Sequence, residues 1–488
     1  MPILSDEAIQ VLRDLNPWWM DPPTVRPTPP DYRRPLVGSL SARLRNPKGG
    51  LVEVVRGPRQ VGKTTGVYQI IADLLAAGIR GRDMLFVRFD LALLRDEPAI
   101  LRNIAHWYAE NVRQRPLHAG APPYLFLDEV HKLKRWSDEV KHLGDTFPFR
   151  ILLTGSSSVL VARGGRESLA GRVFTTELPP FSFREVVECW HRGMARALPD
   201  RIRFLDAFDG ALRRSRAEWA GLRPQQRLAL RRILEKYYQR GGYPRLHSGE
   251  VEDDRWADYL VQTVFENVLG ADIPDLFPVE SPSLLRTLYL HVARLTGQEI
   301  AQNKLASEIS ATGIPTNQPT VRAYLHYLAD ALLIREFRRY PLAKKASARV
   351  PAKITLTDLG VRNAILRGAP SLWEGDPTTL GPLVETMVQG CIRDQNLQVH
   401  FYRDRKVPTD RRSPVVEVDF VAERVDGAVL PVEAKFRRRI DGDDFVGLGV
   451  FQERFGRPEA IMVTRDLSRW DADRRTLCVP LEDFLLTF

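Results

Sequence analysis

The sequence predicts an α/β protein of several domains, and three stretches carry that expectation. Residues 51–56 form an apolar run rich in β-branched residues that ends in a glycine-rich loop, with a helical pattern behind it. Residues 124–127 form a second apolar run, ending in Asp128 and Glu129. Near the C-terminus, residues 415–421 and 430–436 read as a hairpin carrying Asp419, Glu433 and Lys435. A chain of 488 residues is too long for one core and suggests two to four domains.

The first stretch continues as Gly57-Pro-Arg-Gln-Val-Gly62-Lys63-Thr64, a full match to the phosphate-binding loop pattern. Val67, Ile70, Ile71, Leu74 and Leu75 share one face of the following helix, which Gly78 ends. Strand, loop and helix in that order are what such a loop needs. Its glycines let backbone N–H groups curl around phosphate oxygens, and the helix N-terminus adds its positive dipole end. Gly57, Arg59, Gly62, Lys63, Thr64 and Thr65 are therefore the expected nucleotide-binding residues, with a nucleoside triphosphate as the ligand. Lys63 is expected on the β and γ phosphates and Thr64 on magnesium.

Ahead of this unit, residues 6–15 read as a helix ending at Asn16-Pro17-Trp18-Trp19, followed by a proline-rich stretch. Residues 32–36 either help hold the base or belong to a tethered linker. After it come a strand at 84–89, a helix at 98–112 and the strand that delivers Asp128 to the magnesium shell. Glu129 is placed to polarise the attacking water. A strand at 150–154 runs into Gly155 and Ser156 to Ser158. Thr154 and Ser156 can contact the γ-phosphate or the water, although Ser156 or Ser157 equally suits a helix N-cap. A fifth strand is expected at 173–178.

From 181 to about 272 the pattern is helical and basic. Between Arg201 and Arg240 there are eleven Arg or Lys against four Asp or Glu. Such a run is either a solvated helical face or a DNA track. Residues 283–357 have winged-helix spacing, with helices at 301–310 and 319–333 and wing strands at 333–340 and 354–357. The second helix exposes few cations, chiefly Arg322 and His326, whereas the wing carries Arg335, Arg338, Arg339, Lys344 and Lys345. Phosphate contacts by the wing are therefore expected rather than base reading by the helix, beside a purely architectural role.

In the C-terminal hairpin a three-residue loop, Val425-Asp426-Gly427, puts Gly427 in the left-handed position such turns favour. Asp419 then faces Glu433, Glu417 faces Lys435, and Val416, Val418 and Phe420 meet Phe436, Ala434 and Val432. Two facing carboxylates can hold magnesium or manganese, Lys435 can activate water beside it, and Glu385 is a further candidate ligand. An ion-pair ladder on a solvent-facing hairpin is the plain alternative.

The net charge of +10 favours a polyanionic partner, foremost DNA, over a merely soluble basic protein. Cys189, Cys391 and Cys478 lie far apart, which argues against a disulfide framework or structural zinc and fits a reducing cytoplasm. No apolar run is long enough to span a membrane, and the N-terminus lacks a signal-peptide core.

With these residues in view, the chain from about residue 32 onward resembles a large prokaryotic family of AAA-type ATPases. Its members join the ATPase module to a C-terminal domain of unknown function. The resemblance rests on GPRQVGKTT, LDEVHK, TGSSS with SLAGR, RGGYP, the EVDF and VEAK pair, and Leu383-Val-Glu385. His131 and a longer arginine-rich insert after Trp190 depart from the pattern. The resemblance implies an AAA+-type P-loop ATPase core with a helical lid, a winged helix and a C-terminal α/β domain like the restriction endonucleases. The corresponding boundaries are a lead-in at 1–50, the core at 51–180, the lid at 181–280, the winged helix at 281–360 and the nuclease-like domain at 380–488. It also implies an arginine finger just before the fifth strand. Arg172 is nominated, against a structural salt bridge and with Arg163 and Arg166 as the other choices. The finger implies a homo-oligomeric ring, with a hexamer expected. Two functions follow as expectations. One is ATP-driven DNA remodelling or translocation with a metal-dependent nuclease-like end domain. The other is an ATP-controlled switch on protein partners, with that domain an inactive scaffold.

Overall fold

The computed structural model describes residues 4–46, 52–95, 97, 99–155, 173–341, 351–392, 396–407, 409 and 412–488. The chain divides into two compact units, Met1–Pro179 and Pro180–Phe488.

The first unit is built on five parallel strands: β1 (Val52–Arg56), β2 (Met84–Arg88), β3 (Tyr124–Asp128), β4 (Arg150–Gly155) and β5 (Val173–Glu177). They run in the order β2-β3-β4-β1-β5. The first four are buried along nearly their whole length, because helices cover both faces of a parallel sheet. The helix expected at 98–112 is regular over Ile100–Tyr108 and widens over Ala109–Arg113.

The lead-in closes the sheet edge. Asn16 exchanges hydrogen bonds with Phe86 of β2, donating to its carbonyl at 2.8 Å and accepting its N–H at 2.7 Å. The Trp18 and Trp19 indoles both donate to the Met84 carbonyl. An edge strand that would otherwise present free polar groups is thereby satisfied.

The second unit contains nine strands among the described residues: β6 (Gln298–Ile300), β7 (Ile334–Arg339), β8 (Ala352–Leu356), β9 (Leu397–Arg405), β10 (Val415–Arg424), β11 (Val429–Lys435), β12 (Ala460–Thr464), β13 (Arg469–Asp471) and β14 (Thr476–Pro480). They form one sheet, β13-β14-β12-β11-β10-β9-β7-β8-β6. Helices Pro282–Arg294, Gln302–Ala311 and Gln318–Asp330 accompany its β6-β8-β7 end. The two wing strands expected from the sequence are β7 and β8, but β7 is not a free wing. Its outer edge runs parallel to β9, pairing Arg338 with His400 and Arg339 with Phe401. Phe337 then meets the Phe420 ring edge-on at 5.6 Å, so continuing the sheet buries an aromatic that a free wing would expose. Lys344 and Lys345 lie outside the described residues.

The basic run from Arg201 to Arg240 is largely spent on ion pairs. Arg227 pairs with Asp483 at 2.9 Å, and Arg231 pairs with Glu482 at 2.8 Å and Asp466 at 2.6 Å. Arg213 reaches Glu459, Arg201 holds Glu188, and Lys236 and Arg240 share Asp253. Glu482 and Asp483 belong to the buried C-terminal helix Leu481–Thr487. Buried carboxylates need such partners, so this excess serves the fold first.

The Gly241-Gly242-Tyr243-Pro244 turn is structural too. Gly242 N–H donates to Asp358 at 2.7 Å, and Asp358 also caps the helix Leu359–Ile365 through Val361 N–H. His247 lies tilted against the Trp190 ring, with its Nε2 at 2.8 Å from the Gly241 carbonyl. Burial, outweighing the bond to Gly241, pushes this imidazole down from 6.5 to about 4. The unfolded chain thus binds the proton more readily. Stability is full above pH 6.5 and is lost as pH falls toward 4, by at most about 3 kcal/mol. His247→Gln should flatten that part of the pH profile in urea unfolding. Parallel losses in variant and wild type would remove His247 as the cause.

Among the described residues no helix is long and apolar enough to cross a membrane.

Candidate functional site

In the first unit β1 delivers the chain into the loop at Gly57. A Cβ there would lie 2.2 Å from the Leu178 carbonyl oxygen, so only glycine fits the exit from the sheet. Gly62 is left-handed (φ 93°) and starts the helix Lys63–Ala76. Lys63 is buried, and its ammonium donates back to the Gly57 and Pro58 carbonyls at 2.9 and 3.0 Å. Thr64 Oγ1 donates to Asp128 Oδ2 at 2.8 Å. Thr65 follows in the first helical turn.

β4 lies between β1 and β3, and its end brings Thr154 to the same carboxylate. Thr154 Oγ1 donates to Asp128 Oδ1 and accepts the Glu129 N–H at 3.2 Å. Glu129 is left-handed (φ 52°), its carboxylate 4.0 Å from Lys63 Nζ and 3.5 Å from His131 Nδ1. Burial raises the Asp128 carboxyl above its usual range, with the Glu129 charge adding to it. Burial also works to raise Glu129, but the charges of Lys63, then His131, Lys132 and Arg59, outweigh it and hold Glu129 low. Two adjacent carboxylates are thus pushed apart in acidity, and Glu129 is the one kept ionised.

A hydroxyl and a buried carboxylate oxygen within 2.8 Å are hard donors, and a carboxylate strained by burial is relieved by a cation. Thr64 and Asp128 therefore fit magnesium. The sequence did not single out Arg34, which is buried and donates to the Val61 carbonyl at 3.3 Å and the Pro179 carbonyl at 2.8 Å. Gln69, on the loop's helix, donates to the Pro30 and Tyr32 carbonyls. The lead-in thus lies along that helix. Ser156, Arg163, Arg166 and Arg172 lie outside the described residues.

The second unit holds a cluster of carboxylates. The hairpin has the three-residue turn: Arg424 N–H donates to the Ala428 carbonyl, and Gly427 is left-handed (φ 84°). Pairing runs from Glu423–Val429 to Phe420–Val432. Beyond it, side chains replace the ladder. Glu433 Oε2 accepts the Asp419 N–H at 3.0 Å, and Asp419 Oδ2 accepts the Ala434 N–H at 2.9 Å. The β9–β10 register shifts between Val418 and Val421, which places a bulge at Asp419.

The bulge inverts the alternation of faces and corrects part of the expected pairing. Val416 and Val418 pack with Tyr402, Leu448 and Phe451, while Phe420, Val432, Ala434 and Phe436 belong to a separate core. Glu417, expected to face Lys435, instead approaches Lys353, at 3.5 Å.

Glu385, on the helix Pro377–Cys391, does join Asp419 and Glu433, but through a residue the sequence reading missed. Lys353 of β8 places its ammonium 2.7 Å from Glu385 Oε2 and 2.9 Å from Asp419 Oδ1. Lys435 pairs with Glu433 Oε1. Among the described residues no three His, Cys, Asp or Glu side chains close as a metal cage. As the cluster stands, the Lys353 ammonium occupies the point between Glu385 and Asp419 where the sequence led to a metal ion. The available signal was a lone lysine within the otherwise uncharged strand Ala352–Leu356, where a buried ammonium demands carboxylates. The cluster opens on a cavity of about 710 Å³, bordered also by Arg403 and Lys406.

Residues 51–187 match the model of an AAA domain family, and residues 231–371 match a domain of unknown function, DUF8612. An uncharacterized protein of Haemophilus influenzae is 21% identical over 314 residues, covering 64% of this chain and 68% of its own length. The uncharacterized protein MJ1544 of Methanocaldococcus jannaschii is 24% identical over 283 residues, 58% of this chain and 55% of its own length. Among solved structures, the chain is similar to the Walker-type ATPase PABY2304 of Pyrococcus abyssi at 14% identity. That match has a TM-score of 0.42 and covers 72% of this chain and 99% of the other. It is also similar to the Aeropyrum pernix Orc1 protein in complex with DNA, at 12% identity and a TM-score of 0.30, covering 72% and 96%.

Proposed function

We propose that this AAA-type ATPase hydrolyses ATP to remodel or translocate DNA. The observation that carries the hydrolysis is the Glu129 carboxylate 4.0 Å from Lys63 Nζ, with Thr64 and Thr154 both bonded to Asp128. The Glu129 carboxylate orients water and takes its proton as oxygen bonds to the γ-phosphorus and the bond to ADP breaks. Lys63 supplies fixed positive charge, and Thr154 holds Asp128 and the Glu129 backbone in place. Magnesium, held by Thr64 and Asp128, neutralises phosphate charge when bound. Arg172 is proposed to reach a neighbouring subunit's nucleotide in a ring, a hexamer being the form expected for such a finger.

For the second unit we read 281–360 as a winged helix and 380–488 as a restriction-endonuclease-like domain that cuts DNA with magnesium or manganese. The net charge of +10 and the cavity bordered by Arg403, Lys406 and Lys435 support DNA as the partner. A second reading, an ATP-controlled switch on protein partners, is favoured by the ion pairing of the Arg201–Arg240 run. Gel shifts with duplex, single-stranded and branched DNA, with and without ATP, separate the two. DNA affinity should weaken steeply from about 50 to about 200 mM salt. Absence of any shift at the lower salt would leave the switch. Light scattering on the same samples should show a ring with ATP; a monomer at full ATPase rate would remove the role of Arg172.

A further inference from the structure

Lys353 is only 1% exposed, in β8, which has β6 on one side and β7 on the other. An ammonium this deep costs several kcal/mol unless it is compensated. Its compensation is the cluster itself: Glu385 at 2.7 Å, Asp419 at 2.9 Å and Glu417 at 3.5 Å, with the Phe420 ring 5.3 Å away. Carboxylates from the helix Pro377–Cys391 and from β10 therefore converge on one point, and a strand outside the hairpin fills it. Four carboxylates, Glu385, Glu417, Asp419 and Glu433, meet only two lysines, Lys353 and Lys435. The cluster is short of positive charge even with both lysines in place. Without Lys353 the shortage grows, and a doubly charged ion suits it.

We propose that Lys353 is the built-in counter-cation of this site, and that its ammonium and a divalent cation are alternative occupants of the space between Glu385 and Asp419. The proposal rests on reading the cavity as a phosphodiester-cutting site, and it explains why a lysine stands where that reading puts a metal ion. It also makes β8 part of the site, so the helices and strands at 282–356 and the C-terminal hairpin work as one unit.

The test is manganese binding by the full-length, nucleotide-free chain, followed through the EPR signal of the free ion. Lys353→Met should bind Mn²⁺ at least about tenfold more tightly than wild type, because a unit charge a few Å from the ion is gone. Its thermal midpoint should fall in EDTA and recover with Mn²⁺, while wild type shifts little. Lys353→Arg, which keeps the charge, should bind no more tightly than wild type, and Lys353→Met/Asp419→Asn should lose the gain. Should Lys353→Met not fold, Lys353→Gln, which keeps hydrogen-bonding capacity, takes its place with the same expectation. Mn²⁺ binding equal to or weaker than wild type in the uncharged variant overturns the proposal, whatever the cutting activity. Tighter binding with no cutting on any DNA leaves Lys353 in its role and removes the nuclease reading instead.

Discussion

Glu129→Gln is expected to bind ATP and to turn it over at least about a hundredfold more slowly than wild type. The substitution keeps the side chain's size, so the backbone bond from Glu129 N–H to Thr154 and the Thr64–Asp128 contact remain. It removes the ionised oxygen that Lys63, His131, Lys132 and Arg59 hold low in pKa. An amide cannot accept the proton of the attacking water. Lys63→Ala should act earlier, weakening nucleotide binding itself, since its ammonium is the fixed charge within the loop. Isothermal titration with ATP and a steady-state phosphate assay separate the two variants. Hydrolysis by Glu129→Gln at the wild-type rate would show that another group activates the water.

Loss of DNA cutting is the second large effect expected. Asp419→Asn and Lys435→Ala should each abolish phosphodiester cleavage with magnesium or manganese, while ATP hydrolysis stays within about twofold of wild type. Asp419 is the pivot of the cluster: one oxygen accepts Ala434 N–H, the other takes the Lys353 ammonium, and its own N–H reaches Glu433. Asparagine retains the shape but removes the charge that both lysines answer. Lys435→Ala leaves Glu433 without its cation, and burial already pushes Glu433 up to about 7. Binding to DNA should survive in both variants, because it is spread over many cations. A purified chain that binds DNA but never nicks it would make the C-terminal half a binding module. Undiminished cutting by an Asp419/Glu433 double variant would expose a contaminating nuclease.

How far the sequence reached differs between the two sites for a physical reason. The nucleotide site is made of short contiguous pieces. A glycine-rich loop before a helix and an apolar strand ending in a carboxylate are local patterns, so residue type and local order suffice to bring Lys63, Thr64, Asp128 and Glu129 forward as candidates. Even Thr154 was legible, because a strand end next to a glycine announces itself. Arg34 was not, since nothing local marks a guanidinium that braces the Val61 and Pro179 carbonyls.

In the second unit the hairpin turn and the facing of Asp419 and Glu433 followed from alternation and the glycine at 427. Alternation carries no trace of a bulge, so the switch of face at Asp419 and the separation of Val418 from Ala434 emerged only with β9 in place. Long-range electrostatics were hidden in the same way. The Arg201–Arg240 run looked like an open basic surface until the helix Leu481–Thr487 met it, and the partners of Lys353 came into view only with the helix Pro377–Cys391 and β10 beside it. Composition and local pattern by themselves determined which residues are candidates for chemistry. Which charges neutralise one another was decided only by tertiary packing, because a buried ion takes its partner from whatever lies within a few Å, at any distance along the chain.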